Sequence, residues 1–323
     1  MIFRTTEHVV RTDRHRTFYL ACGVEAAPLI VFVHGWPELS ISWRHQLPCF
    51  ADLGFRTVAP DMRGYGRSSV YPRHEDYALA HIVTDMIELL DALHRDKAIW
   101  VGHDWGSPVV WSVASHHPER CLGVASLCVP YLAKGFAVET LLPLVDRAVY
   151  PEAQYPAGQW EYQLFYEESF DKARATFEAN VRNTVKTLFR KGNPGGKGKP
   201  SRTALARRDG GWFGGTGQAP DVPMDGDVLT EEDLLKYVAA LEANGFFGPD
   251  SWYMNAHATW SMRPDRGTAA SCRCRCCSCT DGTTTRARPS SPAWRSPCGG
   301  IAGISPKSSS PPGTGWRRRS PSP

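Results

Sequence analysis

Val101-Gly-His-Asp-Trp-Gly-Ser107 lies between a short apolar run, Ala98-Ile-Trp-Val-Gly102, and a stretch of helical character from Ser107 to His116. A strand that turns into a helix through two glycines, with an acidic residue between them, presents that residue above the edge of a sheet. Gly102 and Gly106 permit a tight turn that larger residues would block. A carboxylate held there suits covalent attack on an electrophilic sp³ carbon, with an ester as the product. The competing reading is that Asp104 only caps the following helix, a common use of aspartate at such junctions.

The surrounding pattern extends the same architecture. Leu29-Ile-Val-Phe-Val-His34 reads as a buried strand ending at Gly35, and Phe55-Arg-Thr-Val-Ala-Pro60 as another. Ile82, Val83, Met86, Leu89, Leu90 and Leu93 recur at helical spacing between Ala80 and Leu93, and Val124 to Val129 makes a fourth strand. Strands alternating with helices predict an α/β fold with a mostly parallel sheet flanked by helices. From Tyr131 to Tyr253 the pattern turns helical, clearest over Phe170–Arg190 and Thr230–Asn244. Thr230-Glu-Glu-Asp has the look of a capped N-terminus. Gly192 to Gly217, rich in Gly, Lys and Arg, reads as an exposed loop rather than a nucleic-acid surface, because no stacking aromatics accompany its charge.

A second motif, His34-Gly-Trp-Pro-Glu38, follows the earlier strand. It resembles in this the oxyanion-hole loop of α/β-hydrolases, a likeness that implies that the backbone N–H groups of Trp36 and Trp105 face one oxygen of an ester on Asp104. His34, with Gly35 and Pro37, reads as support for that loop rather than as a base. Together with Asp61-Met-Arg-Gly-Tyr-Gly-Arg-Ser68, these motifs make residues 10–260 resemble the epoxide hydrolases of the α/β-hydrolase superfamily. The resemblance implies the α/β-hydrolase fold, with a core over residues 1–130 and a helical cap over 131–255. It also implies a remnant of core followed by an aberrant tail over 256–323, with the C-terminal strands missing. Glu161-Tyr-Gln-Leu-Phe-Tyr166 and Asp250-Ser-Trp-Tyr253 are similar to the family segments that carry two epoxide-polarising phenols, which assigns that role to Tyr162 and Tyr253. A phenol can donate a hydrogen bond at neutral pH without ionising. Both residues could instead be ordinary packing tyrosines, and Tyr166 reads as a wall residue.

The implied activity is opening of a small apolar epoxide by water to a vicinal diol, with Asp104 as nucleophile and neither cofactor nor metal. A haloalkane dehalogenase-like hydrolase and a non-catalytic binder of apolar ligands are the alternatives. No span of about eighteen apolar residues and no secretory leader pattern occurs, so the expectation is a cytoplasmic protein, with a homodimer allowed and no membrane or nucleic-acid partner.

One half of the chemistry lacks its residues. Hydrolysis of the ester needs a histidine and an orienting acid after the cap. No His follows His257, and Asp281 is the sole acid after Asp265. The tail also differs in kind: residues 1–266 hold 28 of the 37 basic and 32 of the 33 acidic residues, a net −4, against +8 for residues 267–323. It contains six of the ten cysteines and no Leu, Val, Phe, Tyr or His, too little apolar surface to offset the entropy of ordering it. Its cysteines lack paired ligand spacing and a histidine partner, which sets aside a metal-binding tail. Read one base out of frame, Ser271–Thr285 is compatible with M-P-V-P-V-L-F-L-H-G-R-Y-D-Y, and Pro311–Trp316 with S-G-H-W-M. Those strings match the family's next strand and its histidine motif, so the tail reads as the product of a frame shift near residues 264–270.

Overall fold

In a computed structural model, residues 3–256 and the backbone of 277–279 are described. A single sheet carries the architecture. Its strands are β1 (Thr6–Arg11), β2 (Arg16–Cys22), β3 (Leu29–Val33), β4 (Arg56–Pro60), β5 (Ala98–His103), β6 (Cys121–Leu127) and β7 (Cys277–Cys279), in the spatial order 1-2-4-3-5-6-7. β1 and β2 form an antiparallel hairpin, β2 pairs antiparallel with β4, and every pairing from β4 onward is parallel. The helices at the sheet are α1 (Gln46–Asp52), α2 (Leu79–Ala92) and α3 (Gly106–His116). Short α4 (Val138–Leu141), then α5 (Glu161–Glu178), α6 (Val181–Leu188), α7 (Glu231–Asn244) and α8 (Phe247–Ser251) make up the helical half.

The period-2 alternation of the strands explains the two faces. Leu29, Val31 and Val33 of β3 join one large apolar core that continues into the helical half through Phe165, Phe177 and Trp252. Ile30 and Phe32 point the other way, against Trp43 and Leu47. A strand buried on both faces has to be apolar throughout, which is why β3 reads as an unbroken hydrophobic run.

Several sequence expectations need correction. The β1–β2 hairpin falls outside the four strands expected, because β1 alternates at a largely exposed edge and offers no apolar run. β6 begins three residues before Val124 and ends before Cys128, whose φ of +78° breaks the strand. The helix expected over Phe170–Arg190 is two helices. Asn180 starts the second one by accepting a hydrogen bond from the Asn183 N–H at 2.9 Å. Gly192–Gly217 is exposed at both ends, over 192–200 and 214–217, but Ala204, Ala206 and Trp212 between them are buried, the last two on the core. The Thr230 cap is present as a full capping box with Asp233.

Among the described residues no helix is long and apolar enough to cross a membrane. Beyond β6 the described sheet continues only through the three residues of β7. The rest of the 257–323 tail, including His257, Asp265, Asp281 and the Pro311–Trp316 segment, lies outside the described residues.

Candidate active site

The turn after β5 places Asp104 at φ +51°, in the left-handed region, a backbone conformation that non-glycine residues adopt mainly where surrounding structure enforces it. The enforcement comes from close backbone approach. A Cβ on Gly106 would lie 2.1 Å from the Val33 carbonyl oxygen, and one on Gly35 2.4 Å from the Asp104 Cβ. Two loops at the ends of neighbouring strands, β3 and β5, are thereby pressed together, and only glycine fits between them.

That contact aims the HGWPE loop at the elbow. The Trp36 backbone N–H donates to Asp104 Oδ1 at 2.9 Å, and the Trp105 N–H also reaches this carboxyl. Burial raises the Asp104 carboxyl above the ordinary carboxylate range, and the two N–H donors pull it partly back. The loop itself is a turn closed by the Glu38 N–H on the Gly35 carbonyl at 3.0 Å, with a cis peptide at Trp36–Pro37. His34 is fully buried: its Nδ1 donates to the Gly35 carbonyl and its Nε2 accepts the Met62 N–H, both at 2.9 Å. Desolvation pushes that imidazole below its ordinary value, with the Gly35 bond opposing. A neutral ring is the form that can make both bonds at once. Glu38 accepts the Gly35 N–H at 3.1 Å and lies 3.3 Å from His103 Nδ1.

Two cavities open on this carboxylate. The larger, about 600 Å³, includes Asp104, Trp36, Tyr162, Tyr253 and Trp212 in its wall. The smaller, about 210 Å³ and mostly apolar, is bounded by Asp104, Trp105, Tyr162 and Tyr253 together with Phe136 and Leu141. Asp104, Tyr162 and Tyr253 are common to both. The two phenol rings meet edge to face at 5.5 Å, and Tyr253 packs edge-on against Trp105 at 5.3 Å. Burial is the largest influence raising each phenol above its usual value, and the Asp104 charge raises both further.

Trp36, Asp104, Trp105, Tyr162 and Tyr253 therefore line these two cavities, with His34, Gly35 and Pro37 in the loop that carries Trp36. Sequence reasoning missed Trp212, hidden in a Gly-rich stretch that reads as solvent-exposed. It also missed Asp250, whose Oδ1 accepts both the Trp36 indole Nε1–H at 2.9 Å and the Tyr166 hydroxyl at 3.1 Å. The signal for Asp250 was a lone acid in the largely apolar stretch Phe246–Tyr253. Among the described residues no group of His, Cys, Asp and Glu side chains is arranged to hold a metal ion.

A parallel sheet with an acid-bearing elbow after β5 and a facing loop after β3 defines an α/β-hydrolase. The chain belongs to that family: a family model for the alpha/beta hydrolase fold matches residues 28–207. It is 36% identical over 235 residues to bifunctional epoxide hydrolase 2 of Sus scrofa, covering 73% of this chain but only 39% of that protein. To epoxide hydrolase A of Mycobacterium tuberculosis it is 32% identical, covering 80% of this chain and 77% of the relative. Among solved structures, epoxide hydrolase A from Mycobacterium thermoresistibile superposes with a TM-score of 0.64 at 31% identity, over 80% of this chain and 77% of that one. The chain thus spans about two fifths of the pig relative's length and about three quarters of the mycobacterial ones.

Proposed function

We propose that this chain carries the epoxide-opening half of an epoxide hydrolase, with Asp104 as nucleophile and residues 131–255 as a cap over the core of residues 1–130. The observation that carries the reading is the sharing of both cavities by Asp104, Tyr162 and Tyr253. The Asp104 oxygen held by the Trp36 N–H becomes the ester carbonyl and the other oxygen attacks an epoxide carbon. The ring C–O bond breaks, and the freed oxygen takes a proton from Tyr162 or Tyr253, which solvent replaces. Forming the ester removes the charge that raises both phenols, so they become better proton donors as the alkoxide develops. The Trp36 and Trp105 N–H groups then serve as the oxyanion hole for hydrolysis.

A dehalogenase-like site would need indole N–H donors free for a halide. The Trp36 indole is committed to Asp250, whereas that of Trp212 is unpartnered and Trp212 lines the larger cavity, so the phenol reading rests on Tyr162 and Tyr253 being shared by both cavities. Hydrolysis of the ester has no histidine in residues 258–323 to drive it, so the chain is proposed to stall as an alkyl-enzyme. We read the tail as frame-shifted, and the unshifted gene as encoding the complete enzyme.

The test is intact-mass spectrometry of the full chain after incubation with a small aryl epoxide. The expected result is a stable gain of one epoxide mass that maps to Asp104 and is absent from Asp104→Asn. Reversible binding with an unchanged mass would support a binding protein instead. Cys128, a thiol in the wall of the smaller cavity, is replaced by Ser in a control so that its alkylation is not mistaken for that of Asp104.

A further inference from the structure

Asp250 has no part in the chemistry above, yet its setting is unusual. It is fully buried at the end of α8. One oxygen, Oδ1, takes both hydrogen bonds, from the Trp36 indole and the Tyr166 hydroxyl, while Oδ2 is buried without a partner. The two donors lie on opposite sides of the reaction. Trp36 carries the N–H that cradles Asp104. Tyr166 stacks face to face on Tyr253, with ring centroids 4.7 Å apart and planes 6° from parallel.

We propose that Asp250 is a positioning residue that clamps the Trp36 indole and the Tyr166 hydroxyl through one oxygen and so sets the gap between the nucleophile's cradle and the phenol pair. The inference rests on the epoxide-opening reading for its catalytic consequence, but the clamp itself does not. The carboxyl works as an uncharged acid. An ionised carboxylate would leave half its charge on an unpartnered buried oxygen, and no cation bonds to it among the described residues. The charged and titratable groups around it are Tyr166, Arg174 and Glu178 from α5, and Tyr65 from the loop after β4. Arg174 is engaged with Asp171 and Glu178 instead. Desolvation, with Glu178 adding to it, holds Asp250 well above the carboxylate range despite the two bonds and the Arg174 charge. An uncharged acid has an uncharged mimic: in Asp250→Asn the amide oxygen can accept both donors.

The test compares Asp250→Asn, Asp250→Ala, Trp36→Phe and the Trp36→Phe/Asp250→Ala double variant in the full chain. Alkylation of Asp104 is expected to slow roughly a hundredfold in Asp250→Ala, the scale of an ångström-level misplacement, and to stay within about threefold of wild type in Asp250→Asn. The double variant should be no slower than the slower single one, because both substitutions remove the same bond. An Asn variant as slow as the Ala variant, or effects that multiply, would overturn the clamp. A second measurement needs no reactivity. In protein labelled with ¹⁵N-tryptophan, the Trp36 indole proton, assigned from Trp36→Phe, should exchange about tenfold faster in Asp250→Ala than in wild type or Asp250→Asn. Equal exchange in all three would overturn the proposal even if the wild type never alkylates. Slow exchange in a wild type that takes no label would instead sink the nucleophile reading alone.

Discussion

Asp104 is legible from its neighbours in sequence, but its reactivity comes from what surrounds it in space. Desolvation raises its carboxyl while the Trp36 and Trp105 N–H groups hold it down, and Glu38 and His103 act as smaller opposing influences. In the proposed reaction the attacking form is the carboxylate. The single-turnover alkylation rate should therefore fall as pH drops, through a midpoint above the ~3.9 of an ordinary aspartate. A rate profile measured by quenched mass spectrometry checks this; a midpoint at or below the ordinary value would mean that the N–H donors outweigh burial. Gly35 illustrates a different limit. Its place after a strand is plain in the sequence, but its necessity is set by the 2.4 Å between a would-be Cβ and the Asp104 Cβ, an approach between residues 69 positions apart.

At the scale of elements, a buried charge cluster adds to the apolar burial of β2 in holding the hairpin and the loop after β4. Asp85 on α2 is buried and receives a two-pronged bond from Arg63, at 2.7 and 2.8 Å, and another from Arg14 in the β1–β2 turn; His15 lies 3.7 Å away. One carboxylate thereby ties the hairpin and the loop after β4 to α2. Replacing Asp85 with Ala leaves Arg63 buried and unpaired, at a cost of about 3–5 kcal/mol. The melting midpoint should fall by on the order of 10 °C, measured by calorimetry; a drop of a degree or two would show the network to be dispensable. Arg207, in the segment expected to be a solvated basic loop, pairs with Glu168 at 2.6 and 2.9 Å, and Trp212 a few residues on closes the larger cavity. Composition alone made that stretch read as loop, because its glycines and charges outnumber the few apolar residues that dock it.

For the molecule as a whole, the sheet is the weak point. On the side of β6 away from β5, the described pairing is three residues long, Ala125–Leu127 against Cys277–Cys279. The rest of this edge of β6 has no strand partner among the described residues, and an unpaired strand edge favours association between chains. The same three residues lie in the segment that, one base out of frame, is compatible with a strand. Expression of a gene with the frame restored should give a protein that turns over epoxides to diols, while the chain as written stops at a single equivalent. Steady-state diol formation by the chain as written would refute the missing-histidine argument, and an inactive restored protein would refute the frame-shift reading.

Much of the fold was available from local pattern, because β3 and nearly all of β4 are short runs buried on both faces and β5 and β6 are mostly apolar runs between helical stretches. The elbow and the HGWPE loop were legible for a related reason: tight turns restrict residue type directly, through glycine and proline. The two phenols were found by resemblance, since a tyrosine in a helical stretch carries no local mark of its role. Tertiary structure alone decided which groups meet, because contacts such as Trp36 with Asp250 span 214 positions and leave no periodic trace. It also decided how strongly Asp104, Tyr162, Tyr253 and Asp250 hold their protons, since that depends on how much water and which charges the assembled fold leaves around each one.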